Sequence, residues 1–435
     1  MTTIYDPHHP LYLDESDTRK ELERVYDLCQ GCRKCVDLCP SFPTLFSYVD
    51  MHDDRDSGRM TPAQQDHVVD GCFQCKLCYV TCPYTPELHE WALDFPRLML
   101  RADAMRYTNG HISIRNKLTT AVLGRTDAVG KAATRSAVVA NVIMGAKPGS
   151  LIRKVVEKAS GISSVRMLPP FTRQRFTTWF EKRPKIRVMK LQGDVVVFPT
   201  CVVEYQNPSI GHDLIKVYEH NGVACSLAST THCCGAPYLH SGDIDGFTKV
   251  AAKNVSKLAQ DVRAGKDIVV PQPTCSYIIK KDYVDYVGGP DADLVSQHTY
   301  DAAEYLMNLH NHDGKSLDLD FTGVLRDSIT YHSPCHLRAQ DVGLKSRDLM
   351  KLTGANVKEV QQCSGIDGLW GLRAENAHVS LPIAEKLATM ITEANSDIVA
   401  GDCHLANTAI CEQTGNQPVH PLQVIARAYG FVEEN

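Results

Sequence analysis

No apolar run in this 435-residue sequence approaches the roughly 18 residues that span a bilayer. The longest candidate, Ala137 to Gly145, is half that length and contains Asn141. A soluble or peripheral chain is therefore expected. Glycine-rich phosphate cradles are also missing. No GxGxxG or GxxxxGK-S/T pattern adjoins a predicted strand, so the chain lacks a flavin, nicotinamide or nucleotide site of its own. The opening segment, MTTIYDPHHPLYLDESD, is polar and acidic, unlike a secretory signal or a transit peptide. With no leader to export it, the expected location is the cytoplasm. Aromatic residues make up only 7% of the chain and form no platform beside its basic stretch, which argues against nucleic acid as a partner.

Cysteine, by contrast, is abundant. Seventeen cysteines in a long chain without a signal point to a reducing compartment and metal binding rather than a disulfide framework. Eight of them form two copies of one pattern. Cys29, Cys32, Cys35 and Cys39 precede Pro40; Cys72, Cys75, Cys78 and Cys82 precede Pro83. This is the bacterial ferredoxin spacing for 4Fe–4S clusters, in which the fourth cysteine of each run serves the other cluster. One cluster is therefore assigned to Cys29, Cys32, Cys35 and Cys82, the other to Cys72, Cys75, Cys78 and Cys39. Pro40 and Pro83 are expected to stop the local helix and turn the fourth thiol away from its own run. Zinc also takes thiolate quartets, but two complete copies of the spacing favour clusters.

Charge is unevenly placed. Residues 111–191 hold seventeen Lys or Arg against Asp127, Glu157 and Glu181, a net +14, which leaves −19 on the remainder. A membrane face or an acidic partner suits such a segment. A helix capped by Ser150 and closed by Gly161 carries Ile152, Val155, Val156 and Ala159 at helical spacing, with Arg153, Lys154 and Lys158 on its flanks.

The expected architecture is multi-domain α/β. Residues 1–105 form a helical two-cluster module, with a helix over Asp17–Leu28 and another opened by Thr61 and Pro62. A basic helical connection follows at 106–192, then two α/β domains at 193–318 and 319–435. In the second half, short β-branched runs at 195–198, 268–270, 329–331 and 397–400 alternate with helical patterns such as 243–262 and 375–394, which predicts parallel sheets. The two domains repeat each other. Val195 to Cys201 matches Ile329 to Cys335, His232-Cys233-Cys234-Gly235 matches Gln362-Cys363-Ser364-Gly365, and Ile268 to Cys275 matches Ile398 to Cys403. Gln297-His298 and Val419-His420 are each expected to open a closing helix. The first and third cysteines of each copy should sit at carboxyl ends of strands, the edge where open α/β sheets hold ligands.

At these residues the chain resembles the CCG-domain iron–sulfur family: the B and C subunits of heterodisulfide reductase, the iron–sulfur subunit of anaerobic glycerol-3-phosphate dehydrogenases, and the glycolate and lactate oxidase iron–sulfur subunits. The similarity spans tandem cluster runs, basic middle segment and two CCG domains, and includes Tyr331-His-Ser-Pro-Cys335-His, Cys363-Ser-Gly-Ile-Asp-Gly-Leu-Trp370-Gly and His420-Pro-Leu-Gln. It implies electron transfer from a partner FAD-dependent dehydrogenase towards membrane quinone in anaerobic respiration, with no substrate chemistry in this chain. The family motif has five cysteines per domain, and this chain departs from it. Ile278 and Ala406 stand at the last positions, and Ser364 replaces one of the pair. Cys201, Cys233, Cys234 and Cys275 still suffice for a third iron–sulfur cluster or a zinc ion. Cys335, Cys363 and Cys403 form a degenerate site unless His332, His336 or His404 completes it. A thiol-disulfide reductase using a CCG cluster, a zinc-stabilised scaffold, and an electron donor to a peroxide-reducing or sulfur-handling partner are the alternative readings. Cys225 and Cys411 are assigned no role, and Trp370 is expected to shape the turn over Cys363.

Overall fold

The computed structural model describes residues 4–184, 191–323, 328–366 and 368–431. The basic residues Lys185, Arg187 and Lys190 lie outside these. Among the described residues before Gly193 the elements are helices, with no strand.

The first helix, Glu15–Cys32, starts where the Asp14 carboxylate accepts from the Asp17 amide at 2.8 Å, with Glu15 and Asp17 in the positive first turn. It buries Leu22, Val25 and Tyr26 and ends where Arg33 turns left-handed. It is longer at both ends than the periodicity predicts and carries Cys29 and Cys32 on its last turn. Thr61 and Gln64 form a reciprocal capping box, with Pro62 at the first position of helix Pro62–Asp70. Pro40 departs from its expected part: it caps the next helix, Ser41–Val49, so the chain leaves Cys39 by starting a helix. Phe42, Phe46 and Phe95 fill the centre of the module, Phe42 and Phe95 with ring centroids 4.7 Å apart. Each such ring contributes roughly 1.5–3 kcal/mol on burial.

Among the described residues the basic segment forms five helices, Ile114–Gly124, Thr126–Arg135, Ala137–Met144, Leu151–Ser160 and Phe176–Lys182. In Leu151–Ser160, Arg153 departs from the flank position expected of it. Arg153 is 2% exposed, and its guanidinium donates to the carbonyls of Met144, Ser163 and Arg166. Leu151 and Val155 are 82% and 69% exposed. The three carbonyls stranded at neighbouring chain ends need a multivalent donor, and Arg153 supplies it by pointing inward. The apolar face is thereby turned out.

Two parallel sheets follow. The first comprises β1 (Gly193–Val197), β2 (Val223–Leu227), β3 (Asp267–Val270) and β4 (Thr299–Asp301), in the order β2-β1-β3-β4. The second comprises β5 (Ser328–His332), β6 (Asn356–Val360) and β7 (Ile398–Gly401), in the order β6-β5-β7. Val195–Val197 and Ile268–Val270 are fully buried, the continuous apolar run required when helices cover both faces. The repeat is visible as topology, since β1, β2 and β3 correspond to β5, β6 and β7. Its fourth member differs between copies. His298 precedes strand β4 rather than a helix, and Asp301 then caps helix Ala302–His310. In the second copy the same position is a single bridge from Ala400 to Val419, after which His420 caps helix Pro421–Ala428.

Candidate metal centres

Cys29, Cys32, Cys35 and Cys82 line one pocket together with Leu28, Phe42, Phe46, Tyr84 and Leu93. The donor set is four thiols and the walls are apolar, which fits a 4Fe–4S cluster. Burial, followed by the mutual influence of Cys35, Cys82 and Cys32, pushes the Cys29 thiol up. Thiols packed this closely are held as thiolates by the positive charge of a bound metal. Cys32 is exposed and Lys34 lines the same opening, so this group lies near the surface.

The second group gathers Cys72, Cys75, Cys78 and Cys39. Burial and then Cys75, Cys39 and Cys72 raise the Cys78 thiol, while burial and Cys39 raise Cys72 beyond the ordinary thiol range. The run turns by placing Gln74 and Lys76, on either side of Cys75, at positive φ, a conformation that non-glycine residues adopt only where surroundings hold them. Lys76 is buried and donates to the Gln74 side chain at 2.7 Å. Both crossed assignments thus correspond to groups the fold brings together.

Cys201, Cys233, Cys234 and Cys275 meet at the carboxyl ends of β1 and β3. Cys234 and Cys275 hydrogen-bond each other, and burial plus Cys233 and Cys234 raise Cys201 well above its usual value. The Cys-Cys-Gly turn is built for this. Gly235 sits at φ +94°, a Cβ there would meet the Phe247 ring at 2.7 Å, and its amide donates to Cys233 Sγ at 3.3 Å. Sequence reasoning missed the residues that brace it. Asn254 Nδ2 donates to the Cys233 carbonyl and Tyr283 Oη to the Cys234 carbonyl. Asp127, an acid of the basic segment, accepts from Tyr205 and from His232 Nδ1 at 2.8 Å. Despite burial, those bonds hold its carboxyl below the ordinary range. An isolated acid inside a basic run was the available signal.

Cys335, Cys363 and Cys403 line one cavity together with His332, His336 and, from the dicluster module, Cys75. Gly365 repeats the turn chemistry of the first copy, at φ +69° with its amide 3.3 Å from Cys363 Sγ. His404 stands outside this wall. His336 is fully engaged: Nδ1 contacts Thr274 Oγ1 and Nε2 contacts the Gln74 carbonyl, both at 3.0 Å. Burial pushes His336 down to about 3, keeping it neutral. Trp370 does more than cover a turn, since its Nε1 donates to the Asp70 carbonyl at 2.7 Å and its ring meets Phe73.

The second group is therefore the meeting point of the molecule. Cys72 lines a pocket with Pro237, His240 and Ser241 of the first sheet domain and Leu369, Trp370 and Arg373 of the second, while Cys75 lines the cavity of Cys335, Cys363 and Cys403. Among the described residues no three His, Cys, Asp or Glu side chains converge as a single ion requires, and the thiols instead ring wider spaces. Among them also, no helix is long and apolar enough to cross a membrane.

Comparison with known proteins agrees with this division. Residues 21–83 match the family model of the 4Fe-4S dicluster domain, and 195–280 and 329–408 match that of the cysteine-rich domain. The chain is 28% identical to the C subunit of anaerobic glycerol-3-phosphate dehydrogenase of Escherichia coli (strain K12), over 74% of this chain and 79% of the relative. It is 27% identical to the B subunit of fumarate reductase (CoM/CoB) of Methanothermobacter marburgensis, over 53% of this chain and 46% of that one. A 25% identity to lactate utilization protein A 2 of Bacillus cereus (strain AH820) covers 54% and 98%.

Proposed function

We propose that this chain, an iron–sulfur protein with a 4Fe-4S dicluster domain and two cysteine-rich domains, is the electron-transfer subunit of a multi-subunit dehydrogenase. A partner flavoprotein oxidises glycerol 3-phosphate or a 2-hydroxy acid, and this chain conducts the electrons towards the quinone pool at the cytoplasmic face of the membrane. One observation carries the reading: the loop of Cys72 and Cys75 lies against both sheet domains, Cys72 lining a pocket with Pro237, His240 and Ser241 of the first and Cys75 lining the cavity of Cys335, Cys363 and Cys403 of the second. Iron–sulfur clusters, when bound, exchange single electrons. The residues of this chain hold them, exclude water and set their neighbourhood. Cys29, Cys32, Cys35 and Cys82 hold one cluster and Cys39, Cys72, Cys75 and Cys78 another. Phe42, Phe46 and Leu93 keep the first site dry, and the exposure of Cys32 beside Lys34 marks the face that meets a partner.

Residues 106–192 serve as the docking segment between the module at 1–105 and the sheet domains at 193–318 and 319–435. Ile114, Leu118 and Val122 lie on one exposed face, as do Val138, Val139 and Val142, and Leu151, Ile152 and Val155. Arg125, Lys131, Arg135, Lys147, Lys154 and Lys158 of the same segment surround them. Outward apolar stripes with basic flanks suit the headgroup boundary of an anionic membrane.

The test is anaerobic mixing of the cluster-loaded chain with a glycerol-3-phosphate-oxidising and with a 2-hydroxy-acid-oxidising flavoprotein in turn. Substrate should bleach the cluster absorbance only when both are present. Oxidation of glycerol 3-phosphate or a hydroxy acid by the purified chain alone would refute the assignment, as would clusters that stay oxidised in both mixtures.

A further inference from the structure

The cavity between the second sheet domain and the dicluster module contains buried polar groups that find no partner. His332 Nδ1 and Ser333 Oγ both lie on residues no more than 2% exposed, both residues line the cavity, and neither atom makes a hydrogen bond. We propose that His332 is the fourth ligand of an iron–sulfur cluster held by Cys335, Cys363 and Cys403, opposite Cys75.

Three histidines stand near enough in sequence to complete the thiol trio, and their hydrogen bonds separate them. His336 has no lone pair to offer. Its Nε2 must carry a proton to reach the Gln74 carbonyl, and its Nδ1 accepts from Thr274. His404 has an unpaired Nε2, but its ring lies outside the cavity wall. His332 closes β5, three residues before Cys335. Its Nε2 lies 2.9 Å from the carbonyl of Gln362, which only accepts, so Nε2 carries the proton and Nδ1 keeps its lone pair. A carbonyl fixing one imidazole nitrogen while the other keeps its lone pair beside a thiol-lined space is the arrangement by which proteins orient metal-binding histidine. It also explains the orphaned Nδ1, which would otherwise be a buried acceptor without a donor.

The occupant is a cluster rather than one ion. No three metal-binding side chains among the described residues close on a single point, as one ion would need, whereas a cluster spreads its ligands over several iron atoms. The Gly365 amide donates to Cys363 Sγ at 3.3 Å, and Ser333, whose Oγ has no partner, lines the same space. With four ligands the site is closed, and an outside thiol has no position to occupy. The inference rests on the electron-transfer reading for the purpose of the cluster. Its test reads metal content and magnetic coupling in the isolated holoprotein, so the two can fail separately.

The experiment compares anaerobically loaded full-length parent, Cys363→Ser, His332→Ala and His332→Cys by iron and sulfide content and pulsed electron paramagnetic resonance. The parent should show a strongly coupled nitrogen on one reduced cluster. Cys363→Ser should lose one cluster's worth of iron with both cubane signals intact. His332→Cys should keep the parent's iron, lose the nitrogen coupling and titrate at a lower potential, since thiolate replaces imidazole. This variant also covers the case in which His332→Ala does not fold. The proposal is overturned by a parent without strong nitrogen coupling, by coupling that survives in His332→Cys, by one zinc per chain that Cys363→Ser removes, or by a parent spectrum shifted by a small added thiol.

Discussion

The imidazole of His336 donates from Nε2 to the carbonyl of Gln74 at 3.0 Å, across the seam between the second sheet domain and the loop that carries Cys75. Its Nδ1 accepts from Thr274 at 3.0 Å, beside Cys275. One buried ring thereby ties the dicluster module to both cysteine-rich domains. His336→Ala strips the Gln74 carbonyl of its partner, and an unpaired buried acceptor costs about 1–3 kcal/mol. Denaturant titration of the holoprotein should show that loss, and the signal of the cluster on Cys72, Cys75 and Cys78 should broaden. An unchanged midpoint and spectrum would remove His336 from this role.

The crossed ligand pattern makes opposite predictions for two similar residues. Cys82→Ser should abolish the cluster near the surface, and Cys39→Ser the one at the meeting point, although each lies in the other's sequence run. Spin quantitation of the two reduced signals distinguishes them. Loss of the same signal in both variants contradicts the groups formed around Cys29 and Cys78.

Asp282 gives a pH dependence of definite sign. It is buried, its Oδ2 has no hydrogen-bond partner, and desolvation pushes its carboxyl up to about 6 from 3.8, with Lys76 opposing. A carboxyl raised in the folded state contributes stability that is present below pH 3.8 and lost as pH rises through about 6. Asp282→Asn is neutral throughout, so relative to the parent it should gain stability as pH rises from about 4 to about 7. At about 1.4 kcal/mol per unit the ceiling is roughly 3 kcal/mol. Urea midpoints across that range measure the difference, and parallel profiles would show that Asp282 ionises freely.

The outward stripe and the buried arginine of one helix should respond differently. Leu151→Ser with Val155→Glu should leave folding intact and reduce sedimentation with anionic vesicles at low salt by about tenfold or more, since two buried apolar side chains and a like charge are at stake. Arg153→Glu should instead destabilise the chain, because three carbonyls lose their donor and a charge is buried. Equal vesicle binding by the parent and the double variant would return this face to ordinary solvent exposure.

Much of the site was legible because its chemistry is local. Thiol spacing around Cys29 and Cys72, the Gly after each central cysteine, and the strand runs before Cys201, Cys275, Cys335 and Cys403 are all set by neighbours within a turn or a strand. The helix at Leu151–Ser160 was legible as amphipathic but not in its facing, because which stripe turns inward depends on where stranded carbonyls lie, and Arg153 meets three. The closing element after His298 departs from expectation for a related reason. A three-residue strand such as β4 exists only because β3 offers it an edge. Asn254 and Tyr283 carried no motif at all, and the partners of Asp127 and Trp370 lie too far along the chain to be read from their motif or their run, for Trp370 300 positions away.

By itself the sequence determined the thiol inventory, eight cysteines in two runs of ferredoxin spacing and seven in two degenerate repeats, because covalent spacing decides which thiols share a turn. Only the tertiary structure decided that Cys75 faces Cys335, Cys363 and Cys403, and that His332 rather than His336 keeps a lone pair for that cavity. Those outcomes turn on hydrogen bonds to the carbonyls of Gln362 and Gln74, and no spacing along the chain encodes which carbonyl a buried ring will find.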